Sequence, residues 1–170
     1  MPYRIDRDWR GGFTLLEIMI ALAILGIVVV LAVGNFQGMM EKYRVEGETK
    51  QMFADLMDAR GRAMQRNRAF FVQINANGYN TFEDTSPAPD GNGSWESADT
   101  PAANAVVQHT IITVPGGLSE FLFNRNGIAS VTGFIRFDSP TVRPDYDCIT
   151  VKATRIKMGQ FNGTNDCIEK

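Results

Sequence analysis

Residues Arg10–Phe36 read RGGFTLLEIMIALAILGIVVVLAVGNF. From Phe13 to Val33 the only charge is Glu17, and the 16 residues from Ile18 to Val33 carry none. Wound as a helix, the stretch Phe13–Val33 extends roughly 31 Å, about the thickness of one hydrocarbon core. A carboxylate inside such a segment costs on the order of 2.5–3.5 kcal/mol on insertion and is as a rule paired. No lysine, arginine or histidine lies between Phe13 and Gln37. The counter-charge therefore has to come from another chain, or from a charge the precursor does not yet carry.

Beyond Phe36 the 170-residue chain is mixed, polar and broken by turns, so a membrane segment is followed by a soluble head. The net charge of −2 gives no global electrostatic reason to expect nucleic acid. Cys148 and Cys167, with 18 residues between them, read as one disulfide in an oxidising compartment, two reduced thiols being the alternative. The single histidine, His109, and the absence of a paired cysteine spacing argue against zinc, and no cofactor motif is present.

Three readings of the apolar run compete. A cleaved secretory signal would use Arg4, Arg7 and Arg10 as its basic region, diluted by Asp6 and Asp8. It would be cut after Ala32-Val33-Gly34, leaving Asn35 first. An uncleaved anchor is the second reading, and in both the leading arginines keep the N-terminus cytoplasmic. Neither explains Glu17.

The third reading does. GGFTLLEIMIALAILGIV resembles the N-terminus of type IV prepilins and type II secretion pseudopilins. The resemblance implies cleavage by a prepilin peptidase after Gly12, N-methylation of the new N-terminal Phe13, and Glu17 as the fifth mature residue. Cutting creates an α-amino group that stays cationic after methylation. That cation can pair with Glu17 of a neighbouring subunit, where hydrocarbon strengthens the attraction. On this reading Glu17 sets assembly rather than insertion.

After the membrane segment the pattern turns amphipathic. Val45, Thr49, Met52, Leu56, Ala59 and Ala63 recur at steps of four and three, with Phe53 and Met64 beside them. Glu46, Glu48, Lys50, Asp55, Asp58 and Arg62 are expected on the other faces. The spacing predicts a helix from Phe13 to about Arg66, interrupted in propensity by Gly34, Gly38 and Gly47. Many major pilins have proline where this chain has Gly34. Gly34 and Gly38 also form a small-residue pair suited to close packing, and a joint and a packing face both stay open. Arg60, Arg62, Arg66 and Arg68 suit a helix C-terminus and a solvated face better than a DNA contact.

From Ala69 the periodicity becomes short and β-like. AFFVQI and YNTFE predict a hairpin turning at Asn77-Gly78. Residues 84–105 predict a surface loop in which Trp95 is either bait for a partner or an anchor. VVQHTIITV is expected as the next strand, with His109 an ordinary strand residue. LSEFLFNRNGIAS, TGFIRFD and CITVKATRIKMGQ add strands, with turns at Asn126-Gly127 and Thr132-Gly133. Asn92 and Asn162 match glycosylation spacing and are read as turn residues. The fold class is therefore α+β: a long N-terminal helix, membrane-spanning then amphipathic, packed on an antiparallel β-sheet head. The domain expectation is a leader over 1–12, a membrane or filament-core helix over 13–36, an amphipathic half-helix over 37–68 and a head over 69–170.

Phe123 with Gly127, Gly133 with Ile135 and Phe137, and Ile149 with Val151 also resemble the H-type pseudopilin and FimT/FimU minor-pilin group. That group's usual glycine-arginine turn is blurred here to Ala153-Thr154-Arg155. The resemblance implies a minor pilin that primes assembly or forms a pilus tip, or alternatively a type II secretion pseudopilin. Its implied partners are other pilins or pseudopilins, the prepilin peptidase, an inner-membrane assembly platform and, before assembly, membrane lipid. The implied location is the inner membrane with the head in the periplasm, then a pilus or periplasmic pseudopilus. No catalytic constellation is present, so an enzyme is not expected. A DNA-uptake receptor is disfavoured: losing three arginines and two aspartates with the leader leaves 14 basic against 17 acidic side chains. A local patch of Arg136, Arg143, Arg155 and Lys157 is the one feature in its favour.

Overall fold

A computed structural model of the chain describes residues 12–114, 118–164 and 166–170, without the side-chain surroundings of residues 32–35. The leader arginines and aspartates, the alternative cut site and Gly34's packing fall outside the described residues. Two compact units result, Met1–Met39 and Met40–Lys170.

Helix α1 spans Leu15–Arg66 and runs unbroken through Gly38 and Gly47. It starts at Thr14, whose hydroxyl accepts the Glu17 N–H at 3.2 Å, the hydrogen bond of an N-cap. It stops at Asn67, which takes the left-handed conformation (φ 54°), while the Arg68 N–H reaches back to the Ala63 carbonyl at 3.2 Å. That i to i−5 bond with a left-handed residue is the Schellman way of ending a helix.

In the first unit the α1 side chains from Leu15 to Leu31 are exposed, and an 18-residue window has mean hydropathy 3.0. By length and composition this stretch can cross a membrane.

Among the described residues of the second unit nine strands follow: β1 Phe70–Asn75, β2 Gly78–Glu83, β3 Thr100–Val106, β4 Ile111–Val114, β5 Glu120–Phe123, β6 Gly133–Phe137, β7 Cys148–Lys152, β8 Arg155–Phe161 and β9 Cys167–Glu169. They form two sheets ordered β3-β2-β1-β5 and β4-β6-β7-β8-β9, antiparallel throughout. The expected stripe Val45, Thr49, Met52, Leu56, Ala59 and Ala63 is buried at every position. It joins Phe70, Val72, Tyr79, Phe121 and Phe123 of one sheet and Ile135, Phe137, Ile149 and Val151 of the other in one core. Thr49 survives there because its hydroxyl donates to the Val45 carbonyl at 2.8 Å. Met64, expected beside the stripe, is 49% exposed.

Several local expectations are corrected. The first hairpin turns at Ala76-Asn77, since Asn75 pairs with Gly78, and the Asn75 side chain accepts the Asn77 N–H at 3.0 Å. Gly78 is instead the first residue of β2, where a Cβ would lie 2.3 Å from the Ala105 carbonyl oxygen. The turn at Asn126-Gly127 forms as expected, with Gly127 at φ 71°, whereas Gly133 opens β6. The loop expected over 84–105 ends early, because Thr100–Val106 pairs with β2 as an edge strand. Proline and alanine hide it from a propensity reading, and pairing to a neighbour supplies what its own residues lack. The run VVQHTIITV is correspondingly divided, with β4 starting only at Ile111, so His109 sits in the β3–β4 connection. CITVKATRIKMGQ folds back on itself at Ala153-Thr154 as β7 and β8.

The Gly78 contact carries a test. Gly78→Ala forces β2 and β3 apart, so limited proteolysis within residues 84–106 should become markedly faster than in wild type while β7 and β8 stay protected. Equal cleavage rates would mean the backbone yields at that point.

Candidate assembly site

Thr14 and Glu17 stand as first-turn partners of α1, a Thr-x-x-Glu pattern that the sequence reading did not use. The acidic side chain also sits where the helix dipole is positive. The Glu17 side chain is exposed and lines a shallow apolar hollow with Phe13, Ile18, Ala21 and Leu22. It has no ion-pair partner among the described residues. Gly12 and Phe13, directly before the helix, are exposed as well. The geometry thus presents an accessible dipeptide followed by a carboxylate one turn along an apolar rod.

In the second unit, charges beside the buried stripe fasten α1 to the sheets. Glu46 is buried and accepts the Asp145 N–H at 2.9 Å, with Lys50 at 3.3 Å. Lys42 bonds the Asp145 carboxylate at 3.0 Å, which raises the lysine pKa and lowers that of the aspartate. Asp55 accepts the Tyr79 hydroxyl at 2.7 Å, and burial together with that bond pushes the phenol pKa far up. Glu48 accepts the backbone N–H groups of Gln108 at 2.8 Å and His109 at 3.3 Å. The flanks of a stripe pressed on two sheets are covered too, and polar groups there persist because each has a partner.

Two arginines at the end of the helix follow the same rule. Arg66 pairs with the buried Glu83 of β2, and Arg68 reaches Glu83 at 3.5 Å and Asp90 at 3.7 Å. Arg62 pairs with Asp58 of its own helix at 2.7 Å, and Arg60 departs from the rule, its buried Nε having no hydrogen-bond partner among the described residues. In the suggested basic patch, Arg136 pairs with Asp138 at 3.2 Å and stacks on Phe161 at 4.3 Å. Arg155 and Lys157, with Lys152, converge on Glu169 at 3.0, 3.6 and 2.8 Å. These cations hold its pKa down, Lys152 above all.

Cys148 and Cys167 are bonded to each other, which ties β9 to β7 across β8. Phe134, Phe161 and Val114 cover the bridge. In the loop before β3, buried Asp84 accepts the N–H groups of Asn92 at 3.2 Å and Gly93 at 2.7 Å. Buried Asp99 accepts those of Thr85, Ser86 and Glu96 at 3.0, 3.0 and 2.8 Å. Trp95 packs edge-on to Phe82 at 5.9 Å while staying 38% exposed, so it anchors the loop. Asn92 and Asn162 accept N–H groups two residues on, as turn residues do.

One long N-terminal helix followed by two antiparallel sheets is a pilin-like α+β fold. The prokaryotic N-terminal methylation motif matches residues 10–33, and the family pattern of the type II transport protein GspH matches residues 48–154. The second match covers more than half of the chain, which therefore belongs to the GspH family. The crystal structure of the type IV minor pilin FimU of Pseudomonas aeruginosa is similar with a TM-score of 0.52 at 13% identity, over 71% of this chain and 91% of that one. A second crystal form of FimU gives 0.51 at 15% identity, over 66% and 90%. The minor pseudopilin EpsH from the type 2 secretion system of Vibrio cholerae gives 0.50 at 10% identity, over 72% and 99%. At these identities the likeness is one of fold. No curated protein matches the sequence.

Replacing both Cys148 and Cys167 by serine should lower the unfolding free energy by about 2–5 kcal/mol. It should also free β9, so carboxypeptidase would remove Cys167–Lys170 more rapidly than from wild type. An unchanged denaturation midpoint would show that the β8–β9 pairing holds without the bridge.

Proposed function

We propose that the chain is a minor pilin, a structural subunit that primes a type IV pilus or lies at its tip. Residues 1–12 act as the leader, Phe13 becomes the methylated N-terminus, and residues 13–36 serve as anchor and then filament core. The match of the methylation motif over Gly12, Phe13 and Glu17 carries this reading. The exposed Gly12-Phe13 pair is accessible to a membrane peptidase, and the apolar rod suits lipid before assembly. Glu17 then supplies the one charge of the rod that a neighbour's new α-amino group can neutralise. The partners on this reading are other pilins, the prepilin peptidase and an inner-membrane assembly platform. The head faces the periplasm and afterwards the cell surface.

A second reading places the same subunit in the periplasmic pseudopilus of a type II secretion system. The family's description as type II transport proteins, with the likeness to EpsH, favours it. A strain lacking the gene separates the two: loss of surface pili with normal exoprotein export supports the pilus, and the reverse pattern supports the secretion machine.

Mass spectrometry of the mature protein should find N-methylated Phe13 as its first residue, whereas an N-terminus at Met1 or Asn35 would overturn the assignment. Glu17→Ala should leave membrane insertion intact and cut incorporation into filaments at least tenfold, measured by immunoblot of sheared filaments against membranes.

A further inference from the structure

His109, the one histidine of the chain, lies in the β3–β4 connection with a carboxylate oxygen on each ring nitrogen. Nε2 is 2.8 Å from Glu41 Oε1 and Nδ1 is 2.8 Å from Glu48 Oε2. The two glutamates stand seven residues apart, two turns along one face of α1. The histidine side chain is 9% exposed. A neutral imidazole has one N–H and one lone pair, so only one carboxylate could be satisfied and the other would face a lone pair. An imidazolium donates to both.

We propose that His109 is a protonation-dependent clasp: charged, it fastens the β3–β4 connection to α1 through Glu41 and Glu48 together, and on losing its proton it lets one of them go. The surroundings are consistent with this role. On α1, Arg44 lies 4.0 Å from the second oxygen of Glu41, too far to displace the imidazolium from the first. Asp55 with Tyr79 is the next ionisable pair, and its phenol interacts with Glu48. On the head side the neighbours Gln108 and Thr110 carry no charge. Thr110 accepts the backbone N–H of Asp138, whose carboxylate is already paired with Arg136. Two anions therefore face this ring, and among the described residues Arg44 is the one other cation paired with either of them.

Burial acts to lower the His109 pKa, but the hydrogen bonds from Glu41 and Glu48 outweigh it, so the net shift is upward. A folded pKa above the unfolded value, ~6.5, gives stability that is fully present below that value. The stability is lost as pH rises through the folded pKa. The clasp is thus closed where a free imidazole begins to lose its proton and opens as pH rises through the raised pKa. Glu48 keeps its bonds to the Gln108 and His109 N–H groups in either state, so opening loosens one strand connection without detaching the helix.

Because there is one histidine, full-length protein in detergent micelles labelled with ¹⁵N-histidine yields a single imidazole signal set. Titration should show both ring nitrogens protonated at pH ~6.5, where a free imidazole is half neutral. Glu41→Gln, which alters a carboxylate whose other ion-pair neighbour is Arg44 at 4.0 Å, should move the titration downward. Glu48→Gln should do likewise if the protein folds without the two backbone contacts. The thermal midpoint of wild type should fall across the His109 titration, and that of His109→Gln should stay level over the same range. A titration at or below the free value, no response to Glu41→Gln, or equal pH slopes in wild type and His109→Gln would each overturn the clasp.

Discussion

Everything in the head depends on burying one side of the second half of α1. Val45, Met52, Leu56, Ala59 and Ala63 lie at helical spacing and meet the inner faces of both sheets in a single core. Each large side chain removed from water there contributes about 1.5–3 kcal/mol. Neither sheet could stand without a cover over its inner aromatic face, and the helix supplies it to both. Once that contact is made, the polar groups at its margins have fixed positions, and carboxylates become useful fasteners. Glu46, Glu48 and Asp55 lie along those margins, each bonded to a different connection or strand of the head.

The first half of α1 obeys a different constraint. Among the described residues, the side chains from Leu15 to Leu31 are exposed, and an apolar stretch of this length suits lipid. The single acidic residue in this stretch belongs to the first helical turn, where Thr14 caps the chain and the dipole favours negative charge. That local account of why Glu17 is tolerated at a helix start does not compete with a role between subunits. A carboxylate held in a capped first turn has a defined position along the rod, which is what pairing with a neighbour's terminus would require. Members of the pilin and pseudopilin group are structural subunits, and in this chain Glu17 lies on an apolar rod without an ion-pair partner among the described residues.

The helix and its buried stripe were fully legible, because a 3.6-residue period over five turns is a strong signal. Glu17 stands out in the sequence as the one acid of an apolar run, while Gly12 and Phe13 enter through the resemblance of that run to prepilin N-termini, in the stretch where the methylation motif matches. What escaped was tertiary in origin. β3 is made of Thr100, Pro101, alanines and Asn104, whose own preferences point to a loop, and it is a strand because β2 offers it a ladder. Glu46 and His109 looked like surface and strand residues because nothing in their local sequence says which distant backbone amide or carboxylate will lie opposite. The Thr14–Glu17 capping pattern was present in the letters and eclipsed by the more conspicuous acid itself.

The irregularity in β3 bears on what the exposed edge of the head can pair with. Ala102 has no partner in the register between Thr81 and Phe82, and the adjacent Pro101 lacks an N–H. An edge interrupted in this way twists and offers a stranger's backbone only a short template. The register shift that leaves Ala102 unpaired thus makes this edge of the head a poor starting point for growth sheet against sheet.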